Sequence, residues 1–379
     1  MKSSKLNILI LTASFGNGHK SVANTLKDAF NENENIRITI CDLYQEAHPI
    51  VNSVTKHAYI KSYDHGHLYS LYYNGIEKLA HSSFGFWYRE LGKDYLMELI
   101  SLLKPDMILN TFPVMVSSEL KRKYSLPIPI YSIITDYCVH KIWLNQYINK
   151  YYIAHEDLIS PLIDWGIKNE QIYVSGIPIK KDFEAPIHHD SMHYLRSTYG
   201  MSHKKIVLVN AGAFGVMKDI TSICTLLDKL STIQTVVICG NNDKLKETIE
   251  KRHYKNILPL GYIHDVYHFY QCAHCLITKP GGITLSEATS CTLPLIFFNP
   301  VPGQETHNAT FFKMNGAGLI ANDKEEVLQG VQDLLYDHEK YNRMKEALKD
   351  IYHRNAAQNI VKDILQEANA HYAFRRSII

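Results

Sequence analysis

The sequence has no uninterrupted apolar run that approaches the roughly 18–20 residues needed to cross a bilayer, so we expect no membrane-spanning helix. Its first apolar run, Leu6–Leu11, is short and ends in Thr-Ala-Ser, which is typical of a buried strand and not of a secretory signal. A charge excess is also missing, because 40 Lys and Arg against 38 Asp and Glu leave a net charge of +2. We therefore expect no nucleic-acid partner.

The cysteine pattern of a disulfide framework is missing as well. The seven cysteines are odd in number and scattered, which indicates a reducing, cytoplasmic environment. Cys272-Ala-His-Cys275 has the spacing of half a zinc or redox motif, but no second pair accompanies it, so we expect small core residues there. The sequence also has no Asp-x-Asp pair, which agrees with chemistry that needs no metal.

Short apolar runs alternate with amphipathic stretches, which predicts an α/β fold on parallel sheets. The runs form two sets, each with a Gly-rich turn after its first strand. We therefore predict two Rossmann-like domains, 1–188 and 189–355, and a C-terminal helix, 356–379, that packs back toward the first domain. The predicted strands are Asn7–Leu11, Ile36–Cys41, Met107–Thr111, Ile130–Ile134, Lys150–Ala154, Ile172–Val174, Lys205–Asn210, Thr235–Cys239, Ile257–Leu260, Cys275–Thr278 and Leu295–Phe298.

The first polar motif runs from Thr12 to His19 and contains Gly16, Asn17 and Gly18. Such a turn brings backbone N–H groups and a helix N-terminus close to an anion, so it is a candidate acceptor or phosphate loop. It is neither a dinucleotide fingerprint, because Ser21 replaces the third glycine, nor a P-loop, because His19 precedes Lys20. His19 is a candidate general base near neutral pH. The alternative is a capping or surface histidine.

The second motif follows the predicted strand Cys275–Thr278. Gly281 and Gly282 there let a diphosphate approach the amides at a helix N-terminus, and Thr284 lies in the first helical turn. Glu287 comes about one turn later, where a carboxylate can accept both hydroxyls of a ribose. The alternative is an ordinary strand-to-helix turn with a solvated glutamate.

The third motif, Asn299–Asn308, follows the next strand and contains Gln304 and Glu305. Amide and carboxylate groups can hold the hydroxyls of a hexose. Because loops after neighbouring parallel strands meet at one edge of the sheet, the second and third motifs predict a single ligand site.

Taken together, these loops resemble those of glycosyltransferase family 28. Within that family the chain is similar to the bacterial processive diacylglycerol glucosyltransferases and, more distantly, to the plant monogalactosyldiacylglycerol synthases. The resemblance covers nearly the whole chain and rests on Ser14–His19, Asp42-Leu43, Glu46–Pro49, Thr135–Tyr137, His140, Trp143, Gly176–Pro178, Ala211–Gly215, Ile277–Ala288 and Pro302–Glu305.

The resemblance implies a GT-B fold, in which two Rossmann-like domains face each other across a cleft that binds the donor. It implies that Gly281, Gly282 and Thr284 hold the UDP diphosphate and that Glu287 holds the ribose. The other implied donor contacts are the sugar-binding pair Gln304 and Glu305, the facing loop with Gly212, Phe214 and Gly215, and Tyr262 and Ile263 near the uracil.

The same resemblance implies an inverting, metal-independent transfer with no cofactor. His19 is the first candidate for the base and Asp136 the second. The implied donor is UDP-glucose, and the implied acceptors are diacylglycerol and monoglucosyldiacylglycerol. The facing loop Gly-Ala-Phe-Gly is poorer in glycine than that of the plant enzymes, which favours glucose over galactose.

Residues 57–95 carry many aromatic side chains interleaved with basic ones. Aromatic residues with a polar tip favour the bilayer interface, and basic residues attract anionic lipids. With the resemblance, this predicts a peripheral protein on the cytoplasmic face of the membrane. The alternative is a set of aromatic core helices. The expected membrane contacts are Tyr69, Tyr72, Tyr73, Phe86 and Trp87.

Three other functions remain open from the residues alone. A UDP-sugar epimerase of the same architecture would use the same donor site without a lipid. A UDP-sugar sensor would bind the donor without catalysis. An NAD-dependent oxidoreductase is the weakest alternative, because Ser21 breaks the dinucleotide fingerprint.

Overall fold

The computed structural model describes residues 5–14, 17–50, 55, 75, 85, 89–185, 191–212, 215 and 217–377, with side chains up to Ala368 in the last helix. The chain divides into two compact units, and it passes from one to the other after Lys180 and again after Tyr352. Unit 2 contains Lys181–Tyr352, and the C-terminal segment from His353 onward belongs to unit 1. Seven predicted site residues lie outside the described residues: Gly16, Tyr69, Tyr72, Tyr73, Phe86, Trp87 and Phe214.

Unit 1 is built on six parallel strands. Its strands are β1 (Leu6–Thr12), β2 (Ile36–Asp42), β3 (Met107–Asn110), β4 (Ile130–Ile133), β5 (Lys150–Ile153) and β6 (Ile172–Val174). Its described helices are α1 (Asn17–Asn31), α2 (Leu43–Ala47), α3 (Lys93–Leu103), α4 (Met115–Tyr124) and α5 (Ile159–Asp164), with short 3₁₀ turns at Lys141–Trp143, Glu156–Leu158 and Asn169–Gln171.

Unit 2 repeats this plan with six more parallel strands. It begins with α6 (Lys181–Glu184) and α7 (Ser191–Tyr199). There follow β7 (Lys205–Asn210), α8 (Ile220–Leu227), β8 (Ile233–Ile238), α9 (Asp243–Glu250), β9 (Ile257–Leu260), α10 (Tyr267–Cys272), β10 (Cys275–Thr278), α11 (Gly282–Ser290), β11 (Leu295–Phe298), α12 (Gln304–Met314), β12 (Gly318–Ala321), α13 (Lys324–Tyr336) and α14 (His338–Ile351). The last helix, α15 (Ala356–Ser377), belongs to unit 1.

Each sheet has one point at which the strand order reverses. The order in unit 1 is β2-β1-β3-β4-β5-β6, so the reversal lies between β1 and β3. The order in unit 2 is β12-β11-β10-β7-β8-β9, so it lies between β10 and β7. Open α/β sheets bind ligands beyond the carboxyl ends of the strands at such points. The sheet orders alone therefore single out the loops after β1 and β3 and those after β7 and β10.

The predicted α/β fold of two Rossmann-like units is confirmed. All four residues of β3, β4, β10 and β11 are buried, as expected for parallel strands covered by helices on both faces. The strand β12, Gly-Leu-Ile-Ala, was not predicted. A Cβ at Gly318 would lie 2.5 Å from the Phe297 ring, so only glycine lets β12 pair with β11 there.

The C-terminal helix α15 is held to the sheet of unit 1 by polar side chains. Asp363 accepts hydrogen bonds from Lys150 Nζ at 2.8 Å and from the Tyr152 hydroxyl at 2.7 Å. Glu367 accepts one from the Tyr131 hydroxyl at 3.0 Å and forms an ion pair with Lys150. Since both tyrosines are buried in the sheet, these contacts fix the position of α15.

The structure also bears on the expectations about the cysteines and about membrane-spanning helices. Cys275 is buried, as expected for a core residue, and burial raises the pKa of its thiol to about 12, whereas Cys272 is only half-buried. Among the described residues, no helix is both long and apolar enough to span a bilayer.

Candidate active site

His19 lies in the first turn of α1, at the reversal point of the first sheet. Its Nδ1 is 2.8 Å from the carbonyl oxygen of Thr111, which follows β3, and 3.1 Å from the hydroxyl of Thr135, which follows β4. A carbonyl oxygen only accepts hydrogen bonds, so Nδ1 carries the proton of the neutral ring. The lone pair of Nε2 is then the basic one.

Thr111 makes two further hydrogen bonds to backbone carbonyls, one of them that of His19. Its hydroxyl donates to the backbone carbonyl of His19 at 3.1 Å, and its amide donates to the Leu11 carbonyl at 2.9 Å. The imidazole also contacts the edge of Phe112, with ring centroids 4.9 Å apart, and Trp143 at 6.4 Å. The ring is therefore fixed in both tautomer and orientation, as a general base requires.

The environment of His19 favours the neutral imidazole. Burial lowers its pKa below 6.5, while the charge of Asp136 and the hydrogen bond to Thr111 raise it in part. Asp136 follows β4 and is itself buried. The two predicted candidates for the base therefore interact, with Asp136 acting on His19 through its charge. Because the pKa of His19 is lowered, the ring is unprotonated at neutral pH.

The remaining residues of the first motif have mixed surroundings. Asn17 is exposed and Gly18 half-buried, and both lie in the first turn of α1. Asp42 caps α2 by accepting from the Gln45 amide at 3.2 Å, and Glu46 bonds back to the Asp42 amide at 3.0 Å. Asp42 is thus occupied by the start of α2 and by the hydroxyl of Ser14, which donates to its Oδ2.

In unit 2, the loop after β7 depends on two glycines with positive φ. Gly212 has φ +78° and its amide donates to Asn210 Oδ1 at 2.9 Å. Gly215 has φ +58°, and a Cβ there would lie 2.4 Å from Asn242 Cβ and 2.5 Å from the Cys239 carbonyl. Gly215 is therefore required by the fold itself.

The loop after β10 is different, because the protein itself gives no reason for a glycine at position 281. Gly281 has φ −81°, which any residue adopts, and a Cβ there would have no atom of the described residues within 4 Å. It is the N-cap residue of the nine-residue helix α11 and has no side chain with which to cap the first turn. An open approach to backbone amides at the start of a helix suits an anion such as a diphosphate.

Behind this loop lies a buried polar network. The hydroxyl of Tyr270 accepts from Asn210 Nδ2 at 2.9 Å and is also hydrogen-bonded to Thr284. Burial and, to a smaller extent, the charge of Glu287 raise its pKa. Thr278 at the end of β10 donates to the Asn210 carbonyl at 3.3 Å. These contacts join the carboxyl ends of β7 and β10, so the loops that follow are held together at the reversal point.

The loop after β11 carries Gln304 and Glu305 at the start of α12. Gln304 is half-buried, whereas Glu305 is buried and accepts a hydrogen bond from the Val301 amide at 3.0 Å. Burial raises the pKa of Glu305, while Lys279 and the Val301 amide lower it in part. Asn308 ties this loop to the previous one by donating to the Pro280 carbonyl at 3.0 Å.

Tyr262 and Ile263 follow β9, the edge strand of the second sheet. The Tyr262 side chain is 50% exposed and its ring lies edge-on to His264, with centroids 5.0 Å apart. An exposed aromatic ring beyond a carboxyl strand end is available to stack on a base.

Sequence reasoning missed the residues that hold the candidate groups in place. Thr111, Phe112 and Thr135 position His19, and Asn210 and Tyr270 position the loops after β7 and β10. Thr111 and Asn210 end predicted strands, Phe112 follows one, and Thr135 belongs to a motif of the family resemblance, whereas Tyr270 had no signal in the sequence.

Comparison with known proteins matches both units. The family described as monogalactosyldiacylglycerol (MGDG) synthase matches residues 19–179, and glycosyl transferases group 1 matches residues 195–350. A processive diacylglycerol beta-glucosyltransferase of Bacillus cereus (strain ATCC 10987 / NRS 248) is 40% identical over 365 residues, covering 95% of this chain and 93% of the relative. The protein of the same description from Bacillus cytotoxicus is 39% identical over 96% of this chain and 94% of its own length.

Solved structures with low sequence identity share the fold. MurG of Acinetobacter baumannii has a TM-score of 0.64 at 15% identity, covering 96% of this chain and 99% of its own. A UDP-GlcNAc 2-epimerase from Neisseria meningitidis bound to UDP-GlcNAc has a TM-score of 0.63 at 14% identity, covering 95% and 100%. At such identities the likeness shows that the two units have the GT-B type of fold, and it does not separate transferases from epimerases.

Proposed function

Because this chain belongs to the family of the bacterial processive diacylglycerol β-glucosyltransferases, we propose that it transfers glucose from UDP-glucose to the free hydroxyl of diacylglycerol. The product then serves as acceptor for further glucose. The observation that carries the proposal is the 40% identity to such an enzyme over 95% of the chain. The chemistry at the two sheet edges supports it.

In this proposal, residues of unit 2 bind the donor. The amides at the start of α11 and the positive end of its dipole balance the charge of the diphosphate as UDP leaves, so the reaction needs no metal. Gly281 lets the diphosphate approach the backbone because it places no Cβ in the open space. Glu287 takes the ribose hydroxyls, Gln304 and Glu305 take the glucose hydroxyls, and the Tyr262 ring stacks on uracil.

In this proposal, a residue of unit 1, His19, accepts the proton. UDP-glucose has an α linkage, and a β product requires inversion at the anomeric carbon. The acceptor oxygen forms the new bond to that carbon while its proton passes to Nε2 of His19. The bond from the anomeric carbon to the diphosphate breaks at the same time, and UDP leaves with the electron pair. Asp136 stabilises the imidazolium that forms, as its charge on His19 suggests.

The acceptor is a membrane lipid, so we propose that the protein binds the cytoplasmic face of the membrane without spanning it. The aromatic and basic residues of segment 57–95, which lies largely outside the described residues, provide contacts to anionic lipids. Flotation with liposomes tests this part. Binding that does not depend on anionic lipid would contradict it.

The function itself is tested by supplying diacylglycerol with UDP-glucose or with UDP-galactose and analysing the lipids by thin-layer chromatography and mass spectrometry. We expect mono- and diglucosyl products from diacylglycerol and UDP-glucose, and no such products from UDP-galactose. An arm without lipid detects isomerised UDP-sugar, which would indicate an epimerase. Tight binding of UDP-glucose with no UDP released in either arm would indicate a sensor.

A further inference from the structure

A cluster of three side chains in unit 1 has no part in the proposed reaction. His155 and Glu156 follow β5, and His353 stands nearly 200 residues later, directly after α14. Glu156 Oε2 lies 3.2 Å from His353 Nε2 and 3.6 Å from His155 Nε2. One ligand atom from each residue lies within 4.8 Å of the other two, and no other such group occurs among the described residues.

We propose that this cluster binds one divalent d-block cation, with Zn²⁺ as the preferred ion. Zinc bonds to histidine nitrogen and carboxylate oxygen are about 2.0–2.2 Å long, so neighbouring ligands of a tetrahedral ion are about 3.3–3.5 Å apart. The two distances to Glu156 Oε2, 3.2 and 3.6 Å, lie on either side of that range. Two imidazole nitrogens and one carboxylate form a set of three protein ligands that zinc accepts together with water.

Hydrogen bonding alone explains only part of this arrangement. The 3.2 Å contact of His353 Nε2 with Glu156 is a hydrogen bond, but the 3.6 Å contact of His155 Nε2 is too long for one. Both rings nevertheless direct Nε2 toward the same carboxylate oxygen. A cation between the three atoms accounts for that convergence, because it attracts all of them to one point.

The surroundings of the cluster fit a metal site. Asp157 Oδ2 lies 3.5 Å from His155 Nδ1, where a carboxylate can orient a metal-binding imidazole from behind. Gly176, with φ +78°, fixes the other histidine, since a Cβ there would lie 2.7 Å from His353 Cβ. The side chains of His155 and His353 are 14% and 25% exposed, which lets an ion and its water ligand enter.

A metal-free arrangement competes with this one. His155 Nδ1 is also 3.2 Å from the Asp157 amide, and if it accepts that hydrogen bond, Nε2 carries the ring proton. Binding of a cation at Nε2 requires the proton on Nδ1, on the side of the ring that faces the Asp157 carboxylate. The two arrangements predict opposite results when metal is added, so they can be distinguished.

The proposed ion has a structural consequence. His353 is the first residue of the C-terminal segment that returns to unit 1, and the ion joins it to the loop after β5. A cation that binds the folded chain and not the unfolded chain stabilises the folded state in proportion to the logarithm of its concentration. We therefore expect Zn²⁺ to raise the melting temperature.

The test uses the full chain stripped of metal with a chelator and then titrated with ZnCl₂ by calorimetry. We expect one Zn²⁺ per chain, a higher melting temperature, and visible absorption typical of a four-coordinate ion when Co²⁺ replaces Zn²⁺. His353→Ala and Glu156→Gln should weaken binding about tenfold or more, and Asp157→Asn about 10- to 100-fold. Circular dichroism of the metal-free variants shows that each is folded.

Two matched controls change the same residue types at exposed positions outside the cluster, His203→Ala and Glu170→Gln. They should bind Zn²⁺ as the original chain does. Three results would overturn the proposal: no Zn²⁺ bound by the full chain, binding unchanged in His353→Ala and Glu156→Gln, or equal loss of binding in the controls.

Discussion

The Nδ1 atom of His19 lies 2.8 Å from the carbonyl oxygen of Thr111, and this contact determines which ring nitrogen can act as a base. The carbonyl fixes the proton on Nδ1 and leaves the lone pair on Nε2. Thr111 follows β3 and His19 follows β1, the two strands between which the order of the first sheet reverses. The fold therefore sets the tautomer of the candidate base through a backbone atom, which substitution of the Thr111 side chain does not remove.

The first prediction concerns His19 itself. Replacing His19 with Ala or Gln should lower the rate of glucosyl transfer about 10²- to 10⁴-fold, the usual contribution of a positioned acid or base. UDP binding should not change, because the proposed donor groups lie in unit 2. Lipid product formation and UDP affinity are the two measurements. Near-normal turnover in both variants would falsify the assignment of His19 as the base.

The second prediction concerns pH. Since burial lowers the pKa of His19 below 6.5, the neutral ring needed for catalysis predominates above that pH, and kcat/KM should fall only at more acidic values. Asp136 raises this pKa, so Asp136→Asn should lower it further and move the acidic limb of the pH profile to lower pH. A limb that stays in place, or moves to higher pH, would argue against this coupling.

The third prediction concerns Thr135, whose hydroxyl lies 3.1 Å from His19 Nδ1. Thr135→Val keeps the shape of the side chain but removes the hydrogen bond, which typically contributes about 0.5–1.5 kcal/mol. We expect kcat to fall about two- to tenfold, with little change in UDP affinity. Thr135→Ser keeps the hydroxyl and should restore most of the rate. Equal rates in the Val and Ser variants would show that the hydroxyl does not position the imidazole.

The sequence was sufficient to predict the fold class because buried parallel strands appear as continuous apolar runs. The strand β10, Cys-Leu-Ile-Thr, is fully buried and is followed directly by the Gly281 turn, so both its type and its end were visible. The strand β12 was not predicted, and its pairing with β11 depends on Gly318, because a Cβ there would lie 2.5 Å from the Phe297 ring. Such a contact depends on tertiary packing and leaves no local pattern.

The site could be predicted to the level of its loops and no further. Gly281 and His19 stood out because their residue types carry chemistry at strand ends. The contacts of His19 with Thr111 and Thr135 join residues about a hundred positions apart, and they exist because β3 lies beside β1 in the sheet and β4 lies beside β3. A single sequence does not reveal that order, so these partners could not be named in advance.

The fourth prediction concerns the C-terminal helix α15. The buried Tyr152 hydroxyl donates to Asp363 at 2.7 Å, and hydrogen bonds to charged groups contribute about 1.5–3 kcal/mol. Tyr152→Phe should therefore lower the free energy of unfolding of unit 1 by about that amount, as measured by urea denaturation. Tyr124→Phe, at a side chain that is 45% exposed, is the matched control and should change stability little. Equal stability of the two variants would mean that the hydroxyl does not anchor α15.

The last prediction compares Gly215 and Gly281 of unit 2, because the fold requires a glycine only at position 215. Alanine at position 215 would have φ +58° and a Cβ 2.4 Å from Asn242 Cβ, so Gly215→Ala should lower the melting temperature. Alanine at position 281 meets no atom within 4 Å in the part of the chain that the structure describes, and it keeps an ordinary φ of −81°. Gly281→Ala should therefore fold with an unchanged melting temperature. If the diphosphate approaches the amides there, the added methyl group occupies its space. UDP-glucose should then bind about tenfold or more weakly, a cost of about 1.4 kcal/mol or more.

Calorimetric titration with UDP-glucose and thermal unfolding of both variants separate the two effects. A Gly281→Ala protein that binds UDP-glucose as tightly as the original would place the diphosphate elsewhere.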